Sequence, residues 1–191
     1  MSTPPPGDRW GRIHQLLHWG IAAMILGLAA VGLWMTGMPN SMDKLQVYAL
    51  HKSFGITVLA LVLLRLGWRL AAGRPPALPG PAWQTTLASA VHGLLYLLML
   101  AMPLSGWLYN SASNFPLRWF GVVTLPALSG PSPELKAIAG AVHEWGFWLL
   151  ALLVAVHAGA AIKHHLVDRD ATLARMLPRA FFRPPPQDDA R

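Results

Sequence analysis

Four long apolar stretches alternate with polar segments along the chain, at about residues 16–37, 48–70, 87–109 and 142–162. Each approaches or exceeds the ~20 residues that a helix needs to cross a bilayer. The pattern therefore predicts four membrane-spanning helices. The segments between them read GMPNSMDK, GRPPALPGPAW and SASNFPLRWFGVVTLPALSGPSPELK, and their prolines and glycines stop helices rather than extend them. The expected fold is all-α, an integral membrane four-helix bundle over residues 16–165, flanked by polar segments at 1–15 and 166–191. The polar start, MSTPPPGDRW, is not expected to act as a cleavable leader.

Basic residues give the bundle a direction. Arg9, Arg12, Arg65, Arg69, Arg74, Lys163, Arg169, Arg175, Arg179, Arg183 and Arg191 fall on one side of the spans, and Lys44, Lys52, Arg118 and Lys136 on the other. Short loops rich in Lys and Arg stay on the cytoplasmic side. Both flanking segments, 1–15 and 166–191, are thus expected to be cytoplasmic.

Composition narrows the chemistry. Charged residues make up 12% of the chain, about half the ~25% of a soluble domain. The net charge of +7 would suggest nucleic acid in a soluble protein. Here the basic residues flank apolar segments, so lipid headgroups are the expected partner and nucleic acid is not. Cysteine is absent, which excludes disulfides, thiolate zinc sites, iron–sulfur clusters and cysteine-attached haem. Any metal must rely on His, Met or carboxylate.

The histidines fill that role. His143 and His157 are fourteen residues apart, so both rings leave one helix face, roughly 21 Å apart along the axis. With the expected topology, His18 and His157 share the inner level and His51 and His143 the outer level. Each pair can grip one haem iron through two neutral imidazole nitrogens. Two haem b groups are therefore expected, with His18, His51, His143 and His157 as metal ligands. Filling both axial positions favours electron transfer over oxygen binding. Zinc suits the pairs less, because it prefers four compact tetrahedral ligands.

Other residues gather around this plan. Gly20, Gly27, Gly32, Gly55, Gly146 and Gly159 lie near the histidines, where a missing side chain admits a flat macrocycle or a neighbouring helix. Arg65 follows His51 by fourteen residues and is a candidate partner for the inner haem's propionates, or a basic anchor reaching the interface. Lys52 and Glu144 each follow an outer ligand candidate; they contact propionates, pair with each other or mark the interface. His14, one turn before His18, is a rival ligand. His92 is a rival ligand, a propionate partner or a quinone-site group. His164 and His165, beside Lys163, could hydrogen-bond a quinone carbonyl and supply its protons, or touch headgroups.

These residues fall in a recognisable order: LHW opening span one, HKSFG opening span two, AVHGLLYLLMLAMPLSGWL in span three, then VHEWGFWLLALLVAVHAGAAIKHHL and DRDATLARMLP. Over roughly residues 9–178 the chain resembles the bacterial cytochrome b561 family of four-helix di-haem membrane cytochromes. The resemblance implies the same ligand pairs, His18 with His157 and His51 with His143, and a place in the bacterial inner (cytoplasmic) membrane. The KHHL…LARMLP ending resembles superoxide:ubiquinone oxidoreductases. That likeness implies superoxide oxidation at the periplasmic face and ubiquinone reduction near the inner haem, with Lys52, His164 and His165 as candidate catalytic residues. Lys44, Lys52, Arg118 and Lys136 outweigh Asp43, Glu134 and Glu144 on the outer side, and such an excess steers an anion. Two alternatives stay open. One is a cytochrome b subunit linking a periplasmic dehydrogenase or hydrogenase to the quinone pool, docked on SASNFPLRWFG. The other is a haem-free membrane transporter using the same histidines.

Overall fold

A computed structural model describes residues 9–73, 75, 76, 78 and 81–178. Arg74, Arg179, Arg183 and Arg191 of the charge pattern lie outside the described residues, as do 1–8 and 179–191 of the flanking segments. Four helices form the body: α1 (Arg12–Thr36), α2 (Met42–Ala72), α3 (Ala82–Ala112) and α4 (Pro133–Lys163). All four are long and apolar enough to cross a membrane.

The helices overrun the apolar stretches. The Ser41 side chain accepts from Lys44 N at 3.2 Å and starts α2, and the Ser132 side chain accepts from Leu135 N at 3.2 Å and starts α4. A cap of this kind satisfies an orphan donor and lets a polar turn join the helix. Hydropathy marks where the chain enters the apolar layer, whereas capping marks where the helix begins.

Packing runs α1 on α2, α2 on α3 and α3 on α4. Ile21, Val58 and Val62 form one buried cluster and Leu95, Leu98 and Leu150 another. Leu16, Leu64, Leu97 and Leu152 are more than half exposed, as residues facing lipid are. Among the described residues, α4 makes no extensive backbone contact with α1 or α2. The bundle is thus closed along α3 and open between α4 and the α1–α2 pair.

The long third connection is partly structured. Strands β1 (Leu117–Trp119) and β2 (Val123–Leu125) pair antiparallel, with Leu117 opposite Leu125 and Trp119 opposite Val123. Phe120 (φ 46°) and Gly121 (φ 74°) make the turn in left-handed conformations, which match the twist of a tight hairpin. The hairpin packs against the side of α2. Ser53 Oγ accepts from Phe120 N at 2.9 Å, and Trp119 Nε1 donates to Thr57 Oγ1 at 3.1 Å.

At the opposite end α4 runs into one π-helical turn (His164–Asp168), which Arg169 (φ 54°) terminates. The chain then folds back as a strap over residues 169–178. Trp10 N and Gln15 Nε2 donate to Arg175 O, both at 3.2 Å, and Trp19 Nε1 donates to Met176 O at 2.9 Å. Arg9 Nη2 donates to Ala174 O and Leu177 O. The buried Arg175 donates to Pro76 O at 2.7 Å. Both ends of the described chain therefore meet at one end of the bundle, called here the terminal end; the other is the hairpin end.

Acidic groups pin the strap where it starts. His164 Nδ1 lies 2.7 Å from Asp170 Oδ2 and 3.0 Å from Asp168 Oδ2, Lys163 Nζ lies 2.8 Å from Asp168 Oδ2, and Thr172 N donates to Asp170 Oδ1 at 2.7 Å. Burial pulls the Asp170 carboxyl up, but the bonds from Thr172 and the nearby His164 ring outweigh it and leave the pKa below the usual 3.8. A carboxylate depressed in the folded state stabilises above its unfolded pKa and loses that effect as pH falls through the lowered value. Asp170 therefore pins the strap fully at neutral pH. Asp170→Asn is expected to speed tryptic cleavage at Arg169 and Arg175 at pH 8 in detergent. Unchanged cleavage would place the strap's hold in its carbonyl bonds alone.

Candidate functional site

Across the open side of the bundle, α4 meets α1 and α2 through histidine rings. His18 and His157 have ring centres 6.1 Å apart with planes at 71°, and His51 and His143 have centres 6.4 Å apart, also at 71°. A first-row metal binds imidazole nitrogen at about 2.0–2.1 Å, and with about 1.2 Å from nitrogen to ring centre, two collinear rings sharing one metal lie about 6.5 Å apart. Both spacings suit one metal between two rings. The interplanar angle is free, because each ring can turn about the shared axis.

His92 also reaches the terminal level, 5.3 Å from His157. That is short for two collinear rings sharing a metal, so His92 fits better as a neighbour of the pair than as its axis. His14 meets Trp10 in a tilted contact (5.0 Å) and Trp68 edge-on (6.4 Å), which are its ring contacts among the described residues.

Neighbouring helices orient the rings. His143 Nδ1 lies 3.0 Å from Met102 O and 3.1 Å from Ser105 Oγ. A carbonyl accepts, so Nδ1 carries the proton and Nε2 keeps its lone pair, the arrangement in which a histidine ligates metal. Both partners sit beside Pro103, inside α3. A Cβ at Gly106 would lie 3.2 Å from His143 Cε1, and one at Gly32 would lie 3.4 Å from His51 Cε1. These glycines keep the rings in place. Gly146 packs instead against Met102 Sδ, 2.8 Å from the position of a Cβ, while Gly20, Gly27, Gly55 and Gly159 have nothing within 4 Å. The buried Nδ1 of His51 has no hydrogen-bond partner among the described residues. Ring spacing at both levels, open space beside four glycines and, at the hairpin level, an unsatisfied buried nitrogen fit flat cofactors with a central metal.

Arg65 lies at the terminal end of α2, as its spacing from His51 requires. Its Nη1 donates to His18 Nδ1 at 2.9 Å and its Nε to Tyr96 Oη at 3.0 Å. A guanidinium only donates, so this bond places the His18 proton on Nε2. Ligation through Nε2 requires the other tautomer. A metal on His18 Nε2 would therefore require Arg65 to exchange His18 for another acceptor, and a carboxylate has the right shape for it.

At the hairpin end Lys52 Nζ donates to Asn110 Oδ1 at 3.0 Å, and Asn110 Nδ2 donates to Phe115 O at 2.6 Å. Lys52 is thus fixed beside His51 by an α3 side chain. A Lys52–Glu144 ion pair, one of the expectations, is absent among the described residues. Arg118, on β1, lines a cleft of about 330 Å³ with Gln46 and Ser53. At the terminal end His164 is bound to its two aspartates, and His165 keeps a buried Nδ1 without a partner among the described residues.

Sequence reasoning did not single out Met102, Ser105, Gly106, Tyr96 or Asn110. The PLSG stretch, a polar and small-residue break inside an apolar helix, was the available signal for two of them, Ser105 and Gly106.

Residues 9–179 match a family described as prokaryotic cytochrome b561. The chain is 37% identical over 180 residues to cytochrome b561 homolog 2 of Escherichia coli K12, covering 93% of this chain and 95% of that protein. It is 32% identical over 175 residues to cytochrome b561 homolog 1 of the same organism (90% and 98% covered). It is 28% identical over 166 residues to a protein of Yersinia pestis named probable superoxide oxidase CybB (85% and 92% covered).

Proposed function

The chain belongs to the prokaryotic cytochrome b561 family, a membrane electron-transfer haem protein of the bacterial inner membrane, and from that premise we propose that it oxidises superoxide at the hairpin end and reduces ubiquinone at the terminal end. The charge asymmetry supports a cytoplasmic terminal end and a periplasmic hairpin end. His51, His143, His18 and His157 would hold two haem b groups, and each group, when bound, would supply one-electron redox chemistry.

The chain's residues divide the remaining work. His51 and His143 hold the outer group, His18 and His157 the inner one, and His92 lies beside the inner pair. Lys52, held by Asn110, and Arg118 attract superoxide toward the outer level. Arg65 and Tyr96 receive the inner propionates. His164, backed by Asp168 and Asp170, and His165 hydrogen-bond the quinone and relay protons. Two superoxide anions each lose one electron and leave as dioxygen, while one quinone gains two electrons and two protons to become quinol.

The observation that carries the proposal is the pair of ring spacings, 6.1 and 6.4 Å, at two levels of one helix. The name of the Yersinia pestis relative and the basic hairpin end support superoxide as donor. An anaerobic superoxide source is expected to produce the α band of reduced haem b, and added ubiquinone to bleach it. A colourless preparation would reject the cytochrome and favour a transporter. A cytochrome that superoxide leaves oxidised would favour the second reading, a subunit taking electrons from a docked periplasmic dehydrogenase or hydrogenase. Phe115 (66% exposed) and Val122 (80%) at the hairpin offer that partner an apolar surface.

Lys52→Glu is expected to slow superoxide consumption several-fold at low ionic strength and much less at high salt, because salt screens steering. An equal loss at both would assign Lys52 to its bond with Asn110.

A further inference from the structure

A cavity of about 580 Å³ opens at the terminal end, between the start of α1 and the end of α2, and none of the four paired histidines lines it. Its walls include Trp10, Arg12, Ile13, His14, Trp68 and Gly73.

Three features of these walls call for an anion. First, α1 starts here with no side-chain cap among the described residues and no acidic residue in its first turn. The orphan N–H groups of a 25-residue helix, with its positive dipole end, face this region. Second, His14 is 6% exposed, and its Nε2 is buried without a hydrogen-bond partner among the described residues. A buried polar atom of this kind is costly unless something binds it. Third, among the described residues the charged ones lining the cavity, Arg9 and Arg12, are both basic. Arg9 also donates to strap carbonyls, whereas Arg12 is exposed at the rim.

We propose that this cavity binds a phosphate-bearing anion, the headgroup of an anionic phospholipid in the adjoining leaflet. The phosphate oxygens take the first-turn N–H groups of α1 and the Nε2–H of His14, and Arg12 closes over them. Trp10 and Trp68 sit where an interfacial aromatic pair belongs. Ile13 (44% exposed) and Leu16 (72%) continue up α1 as a surface for the acyl chains, which favours lipid over free phosphate. The site is independent of the electron route and does not rest on it.

The test uses the full-length, haem-loaded protein in a neutral detergent, with lipids titrated in and bound copies counted by native mass spectrometry. Phosphatidylglycerol is expected to be retained at one tight site and phosphatidylcholine not. Arg12→Gln with His14→Phe, the latter keeping a ring between the tryptophans, is expected to weaken retention about tenfold, the scale of one charge-assisted hydrogen bond, with the visible spectrum unchanged. In a second arm, displacement of the lipid by millimolar inorganic phosphate assigns the site to the phosphate group alone. Resistance to displacement assigns it to the whole lipid. Equal retention of the two lipids, or equal retention by the wild type and the variants, overturns the proposal. If the double variant misfolds, Arg12→Gln alone carries the test, since that side chain is exposed.

Discussion

Replacing His157 with alanine removes the haem at the terminal end and leaves the one at the hairpin end; His143→Ala does the reverse. Each variant deprives one pair of the ring that α4 contributes, and an iron with a single imidazole beside an apolar gap is weakly held. Haem content by the pyridine haemochrome method is expected to fall from about two per chain to about one in both variants. Redox titration is expected to lose a different component in each. Retention of both haems in both variants would overturn the pairing. His18→Ala and His92→Ala sharpen the result. The ring spacing of 6.1 Å to His157 against 5.3 Å suits His18 better than His92 as the second proposed ligand, so His18→Ala is expected to remove the inner haem. His92→Ala shifts its potential without releasing it.

Gly106→Leu is the second change with a large expected effect. A Cβ at this position already stands 3.2 Å from His143 Cε1, and a branched side chain extends beyond it. The ring must swing away from Met102 O and Ser105 Oγ, which hold its proton on Nδ1. Overpacking of this kind costs about 1–3 kcal/mol. Added to the lost tautomer control, it is expected to weaken haem retention at the hairpin end at least tenfold, read as haem released during dilution or heating. The inner haem serves as internal reference. Gly146→Ala is the contrasting case: its Cβ meets the end of the flexible Met102 side chain, so the outer haem is expected to stay. If both haems leave Gly106→Leu together, the glycine serves helix packing and not the ring.

Hydropathy alone located the four helices, because a bilayer demands long apolar runs and little else produces them. The histidine pairs were legible for a related reason: helical rise and chain direction convert sequence position into depth, and four residues then match two by two. What escaped notice was one local cap and several contacts between distant residues. The start of α4 at Pro133 is polar, and its helix is fixed by Ser132, not by burial. The strap is held by backbone carbonyls, which any residue carries, so its partners Gln15 and Trp19 leave no trace in composition. Pairing with Glu144 was one of three readings of Lys52, each drawn from its adjacency to a candidate ligand, yet its acceptor is Asn110, brought near by the packing of α3 on α2. Arg65 was placed correctly along α2, but its bond to His18 needed coordinates.

Both metal-sized gaps draw one ring from α4, which leaves the ribosome last. A nascent chain carrying only the first three helices owns His18 and His51 but neither of their partners. Under the proposed ligation, haem capture waits for α4, and a chain terminated before it would enter the bilayer with neither ring pair complete.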